Sequence, residues 1–171
     1  MEYAIGQNIV HAAHGPGTIV GIEHQELVKG FSRYYVIHFA DKQLTVRIPF
    51  RHAKNIGLRQ PMTGAKIKQV MATLGALPRQ LPKDFKVRRK QLEELIFSGA
   101  PVKVAEAVRE LTWRSADKSL NVEDKRLLEQ ARELLIQEIA LATEDEPVHV
   151  QEAVDAALSS SIEAQTALAE A

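Results

Sequence analysis

The repeat of apolar residues along this chain changes once, from about two to about 3.6, in the stretch Asn55-Ile56-Gly57-Leu58-Arg59-Gln60-Pro61. Those two intervals are the ones at which side chains return to one face of a strand and of a helix. The chain is therefore expected to be α+β, with a β module over residues 1–57 and a compact all-α module over 62–143. In the first module Ile9-Val10, Ile19-Val20-Gly21-Ile22, Tyr34-Tyr35-Val36-Ile37-His38-Phe39 and Leu44-Thr45-Val46-Arg47-Ile48 read as short strands of β-branched and aromatic residues. Gly15-Pro16-Gly17, Lys29-Gly30 and Asp41-Lys42 separate them as turns. So few residues in four or five strands leave a thin core and open edges, which suits a small SH3-like or Tudor-like barrel. In the fourth run Leu44, Val46 and Ile48 alternate with Thr45 and Arg47, so a core on the first side turns Arg47 outward.

Beyond Pro61 four helices are expected. Thr63 caps a helix through Leu74, a second runs from about Arg88 to Phe97, Pro101 opens a third, and Asn121 with Asp124 resembles a capping box at the start of a Leu-rich fourth. The prolines at 78 and 82 place Arg79 to Phe85 in a loop. Trp113 follows Val108 and Leu111 and is expected in the helical core. Residues 144–171 hold seven acids and no Lys or Arg, and read as a loosely docked acidic helix with a frayed end.

The formal charge of zero conceals an uneven distribution. Residues 1–57 carry a balance of +2, residues 58–120 of +7 and residues 121–171 of −9. A basic middle implies an anionic partner for that part of the chain, unless the helices pair these charges internally. With no cysteine, thiolate metal sites, disulfides and Cys nucleophiles are excluded. His11-x-x-His14 is the one close His pair, and two ligands fall short of a metal site. No nucleophile elbow, zinc-protease motif, phosphate loop or paired-carboxylate frame is present, so neither an enzyme nor a cofactor nor a small-molecule substrate is indicated. No apolar run approaches a membrane span and Met1-Glu2-Tyr3-Ala4 opens no signal peptide, so a cytoplasmic protein without a membrane partner is expected.

From Arg79 to Lys90 six cations, Arg79, Lys83, Lys86, Arg88, Arg89 and Lys90, surround Phe85 and one acid, Asp84. Cations release counterions from phosphates, and an exposed ring can stack on or wedge against a base, so the combination suits distorted or melted DNA. The composition fits equally a Phe85 that staples the following helix, with the cations solvating it.

In order along the chain, Ile5-Gly6-x-x-Ile9-Val10-x-x-x-His14-Gly15, Tyr34-Tyr35-Val36-Ile37, Leu44-Thr45-Val46-Arg47-Ile48-Pro49, Gly57-Leu58-Arg59, Ser98-Gly99, Val104-Ala105-Glu106-x-Val108-Arg109-x-Leu111 and Lys118-x-Leu120 resemble the bacterial CarD/CdnL transcription regulators. The resemblance spans residues 3 to about 142. It implies a Tudor-like domain, related to that of transcription-repair coupling factors, that docks on the RNA polymerase β subunit. It also implies a helical domain that meets promoter DNA at the upstream edge of the bubble, largely independently of sequence, and so stabilises the open complex. Such a protein would act in the cytoplasm at the nucleoid. By the same resemblance Arg47 matches a polymerase-contacting arginine, and a second contact position, basic in relatives, falls on Gln25. The family's DNA-wedging tryptophan falls on Phe85, which keeps a planar apolar face but loses the indole N–H. Arg88, Lys90 and Lys125 match positions that contact the DNA backbone, with Arg89 beside them. The competing reading is a free-standing, non-specific DNA-binding architectural protein.

Overall fold

The computed structural model describes residues 2–171, which divide into two units at Pro61/Met62. The first unit is an antiparallel meander of β1 (Asn8–His11), β2 (Gly15–Glu23), β3 (Tyr34–Phe39) and β4 (Leu44–Pro49), hydrogen-bonded in the order β1-β2-β3-β4. Ile9, Ile19, Tyr35, Ile37, Phe39, Ile48, Ala53 and Leu58 form its core. The expected barrel is instead an open sheet: among the described residues β1 and β4 do not pair. A fifth strand is reduced to one bridge, in which Val10 N–H donates to Arg59 O at 2.8 Å and Arg59 N–H to Val10 O at 3.0 Å. That bridge explains how Pro16 is tolerated opposite Val10. Val10 turns its own backbone groups to Arg59, so the N–H that proline lacks leaves no acceptor stranded. It also carries the unit a few residues past Gly57. At Gly17 a Cβ would sit 2.8 Å from the buried Phe39 ring, which requires a residue without one.

The second unit packs five helices: α1 (Gly64–Gly75), α2 (Phe85–Ile96), α3 (Pro101–Asp117), α4 (Val122–Thr143) and α5 (Pro147–Glu170). Thr63 caps α1 by accepting from Lys66 N–H, and Asp84 caps α2 by accepting from Val87 N–H at 2.9 Å. The second helix thus begins at Phe85, three residues earlier than the sequence led us to expect. Val70, Leu74, Leu92, Ile96, Val108, Leu111, Leu127, Ala131 and Leu135 make the centre of the core. The acidic C-terminal segment is part of this core. Val150, Val154, Leu158 and Ser161 recur on one stripe of α5 and are buried, Ser161 Oγ donates to Ala76 O at 2.6 Å, and Arg132 pairs with Asp155 at 2.6 Å. Among the described residues no helix is long and apolar enough to cross a membrane.

Candidate nucleic-acid interface

On β4 the side chains alternate as expected: Leu44 and Val46 are half-buried and Ile48 buried, whereas Thr45 and Arg47 are exposed. Arg47 is not bare. Its Nε donates to Glu23 Oε2 at 2.7 Å and its Nη2 to Oε1 at 3.1 Å. Arg47 lies opposite Val36 and Glu23 opposite Tyr34, so this two-pronged pair crosses β3 diagonally on the face away from the core. The hydrogen bond, then the charge, of the guanidinium holds the Glu23 carboxyl below its usual range, and the carboxylate raises Arg47. Gln25, two residues past β2, is exposed and accepts from Leu27 N–H through its carbonyl at 3.0 Å.

His11 and His14 stack at 4.6 Å over Phe39, and His11 Nδ1 accepts from Ala13 N–H and His14 N–H at 3.1 and 3.3 Å. The pair fixes the β1–β2 turn. Among the described residues no three His, Asp or Glu converge to hold a metal. Burial, then the neighbouring His14 and Lys42, lowers His11 from 6.5 to about 4. Between those values the unfolded chain takes up a proton that the folded one refuses. Stability of the sheet unit is therefore expected to fall as pH drops from 6.5 toward 4, and to do so less in His11→Asn. Urea midpoints at stepped pH check this; parallel curves for the two proteins would refute it.

In the helical unit the N-terminal ends of α2 and α4 lie side by side. Phe85, the first residue of α2, is 53% exposed and Val87 56%. A staple would need apolar residues at the positions before the cap and four after it, and these are Lys83 and Arg88. Phe85 therefore does not staple the helix. Lys86, Arg89 and Lys90 are exposed around it, as are Lys125 and Arg126 at the start of α4. Among the described residues Lys86, Lys90 and Lys125 carry no ion pair, whereas Arg89 pairs with Glu93 at 3.0 Å and Glu123 at 3.6 Å, and Arg126 with Glu123 at 2.6 Å.

Arg88 corrects the sequence reading. Expected to face a DNA backbone, it is 3% exposed. One and two turns on from it lie the buried Leu92 and Ile96, so helical geometry carries Arg88 inward with them. Its Nε donates to both Asp124 oxygens at 3.0 and 3.3 Å, and its Nη1 to the carbonyls of Pro82 and Lys83 at 3.0 Å each. Arg88 thus ties the first turn of α2 to the preceding loop and to α4. Asp124 completes only half of a capping box: its N–H donates to Asn121 Oδ1 at 2.7 Å, but its carboxylate turns to Arg88 and, at 3.6 Å, Arg114.

Trp113 is the second correction. It is half-buried and outside the core, lining a cleft with Gln80, Leu81, Lys83 and Arg114. The stripe set by Val104, Val108 and Leu111 leaves position 113 well round the helix from the core. Glu23 and the cleft were the features sequence reasoning missed. The first needs the strand register and the second needs the packing of the loop at 80–83 on α3.

Comparison with known proteins follows the same division. Residues 3–61 match the CarD-like/TRCF RID domain, and residues 69–155, from within α1 into α5, match the CarD C-terminal domain. A Bacillus subtilis (strain 168) protein named "Putative transcription factor YdeB" is 34% identical over 139 residues, which is 80% of this chain and 90% of that relative. With both units matched in order, and a relative aligned along most of its own length, the chain belongs to the CarD/CdnL family of transcription regulators.

Proposed function

We propose that the sheet unit docks on the RNA polymerase β subunit through Arg47, with Gln25 at the margin of the contact, and that the helical unit meets promoter DNA at the upstream edge of the bubble. The protein then acts as a non-enzymatic factor at the nucleoid. One observation carries the reading. At the adjoining heads of α2 and α4 an exposed aromatic ring on the first is accompanied by cations that have no ion pair among the described residues, Lys86 and Lys90 on α2 and Lys125 on α4. Lysines of this kind neutralise phosphates irrespective of sequence, and a planar apolar face inserted at a disrupted base step takes the place of lost stacking. Arg88 enters as the residue that positions this head rather than as a contact, and Arg89, shared with Glu93 and Glu123, as a weaker one.

A factor that binds the open promoter more tightly than the closed one shifts that equilibrium by its differential affinity and needs no chemistry of its own. Docking on polymerase raises the local concentration of the helical unit, so a modest DNA contact suffices. Phe85→Ala is expected to shorten the factor-dependent lifetime of the open complex about tenfold, in line with the cost of losing one stacked base, and to leave polymerase binding unchanged. Dissociation of open complexes under competitor challenge, run beside a polymerase pull-down, measures both. Equal loss of the two would make Phe85 a structural residue and end the proposal.

A further inference from the structure

The cleft beside Trp113 lies between the 80–83 loop and the C-terminal half of α3, and opens two residues before Phe85. Its charged lining comprises Lys83, Arg114 and Lys118 against Glu110 and Asp117. Glu110 is spent internally: it accepts from Arg109 Nη2 and Nε at 2.6 and 3.0 Å and from Arg79 N–H at 2.9 Å. Arg114 is the reverse case. Its Nε is buried without a hydrogen bond, and the nearest carboxylate, that of Asp124 at 3.6 Å, is already held by Arg88. That atom is closed to solvent, but Arg114 lines the cleft with Lys83 and Lys118, and with Glu110 held by Arg109 only Asp117 offsets them, so the recess is net cationic and suits an anion. The indole supplies the other half of a recognition surface, a flat apolar face on the wall of a cationic recess.

Size narrows the occupant. The cleft encloses about 200 Å³, below the roughly 300–1,000 Å³ of sites built for free cofactors or drug-sized ligands. It therefore suits one unit of a polymer whose charge continues outside the cleft. From these features we infer that the cleft receives an unpaired nucleotide of melted DNA, its base against Trp113 and its phosphate between Lys83, Lys118 and Arg114. Stacking on an aromatic side chain is tolerant of base identity, so the site is expected to be sequence-independent. The inference rests on the DNA-contacting reading of this unit and adds a single-strand contact apart from Phe85.

Trp113 is the sole tryptophan, so it reports on its own occupancy. Full-length protein titrated with oligothymidylate of about eight nucleotides, within the span such sites cover, is expected to lose at least about half of its tryptophan emission. Inorganic polyphosphate, an anion without bases, should compete but not quench. Lys118 is exposed, so Lys118→Glu should leave the fold intact while weakening the oligothymidylate titration about tenfold. Trp113→Ala, followed with a dye-labelled strand, should weaken it similarly. Quenching by polyphosphate as strong as by oligothymidylate, or an unaltered titration in Lys118→Glu, overturns the inference. The two readings fail separately: absent quenching with a normal Phe85→Ala defect removes this site alone, and quenching that survives a silent Phe85→Ala upholds this site while removing the wedge.

Discussion

Replacing Asp124 with alanine is expected to destabilise the helical unit by about 3–5 kcal/mol and to lower its melting temperature by about 10 °C or more. Asp124 is a buried carboxylate that faces two arginines, Arg88 at 3.0 Å and Arg114 at 3.6 Å, and both it and Arg88 are 3% exposed. Removing it strands a guanidinium in the interior, and the desolvation that the ion pair had offset is then unopposed. The cost should therefore come from the orphaned charge, more than from the lost contact. Arg88→Met with Asp124→Leu distinguishes these causes. Filling the same space without charge should restore most of the stability, because a buried pair and its apolar replacement often differ little. Calorimetric melting of the two variants decides the matter, and an Asp124→Ala protein within about 1 kcal/mol of the wild type would refute it. The double variant should still release the loop at Pro82 and Lys83, whose carbonyls Arg88 holds.

Arg47→Glu is expected to weaken capture of the polymerase β subunit by at least about thirtyfold, the effect of reversing a charge at the centre of a contact. Its neighbour supplies the control. Glu23 grips Arg47 through two hydrogen bonds, and a partner carboxylate must take over that grip. Glu23→Gln weakens the competitor without altering the arginine, so it should retain or strengthen capture, and the difference should narrow as salt rises. Pull-downs with the full chain at low and high salt read both variants. If Glu23→Gln and Arg47→Glu lose binding alike, the ion pair itself is the recognised feature and Arg47 is no anchor.

What the sequence disclosed follows from the range of each interaction. Alternation along β4 needs only nearest neighbours, and Arg47 was turned outward on that ground alone. The first four helices lie where helical spacing and caps place them, apart from the head of α2, whereas α5, expected to dock loosely and fray, is seated in the core and runs to Glu170. At the head of α2 the prolines at 78 and 82 suggested a longer loop, and the Asp84 cap on Val87 N–H was overlooked. The cation run and the family resemblance both set Arg88 at the DNA backbone, and neither carries the helical spacing that puts it on the buried stripe of Leu92 and Ile96. The partner of Arg88 is 36 residues away on another helix. The Glu23–Arg47 pair depends on the register of three strands, one of them shifted between Ile19 and Gly21. The open sheet has a similar cause: residues near Arg59 carry a strand's composition for one bridge only.

The anchoring of α5 has an electrostatic consequence. Four buried side chains fix that helix in the unit, so its carboxylates occupy set positions and cannot drift as a tail would. Asp155 meets α4 at Arg132, seven residues past Lys125, or about 10 Å along the axis from the cationic head. Positive and negative poles are thereby mounted on one rigid body. In the field of a polyanion such a body feels a torque before it touches anything, and it arrives with its lysines leading.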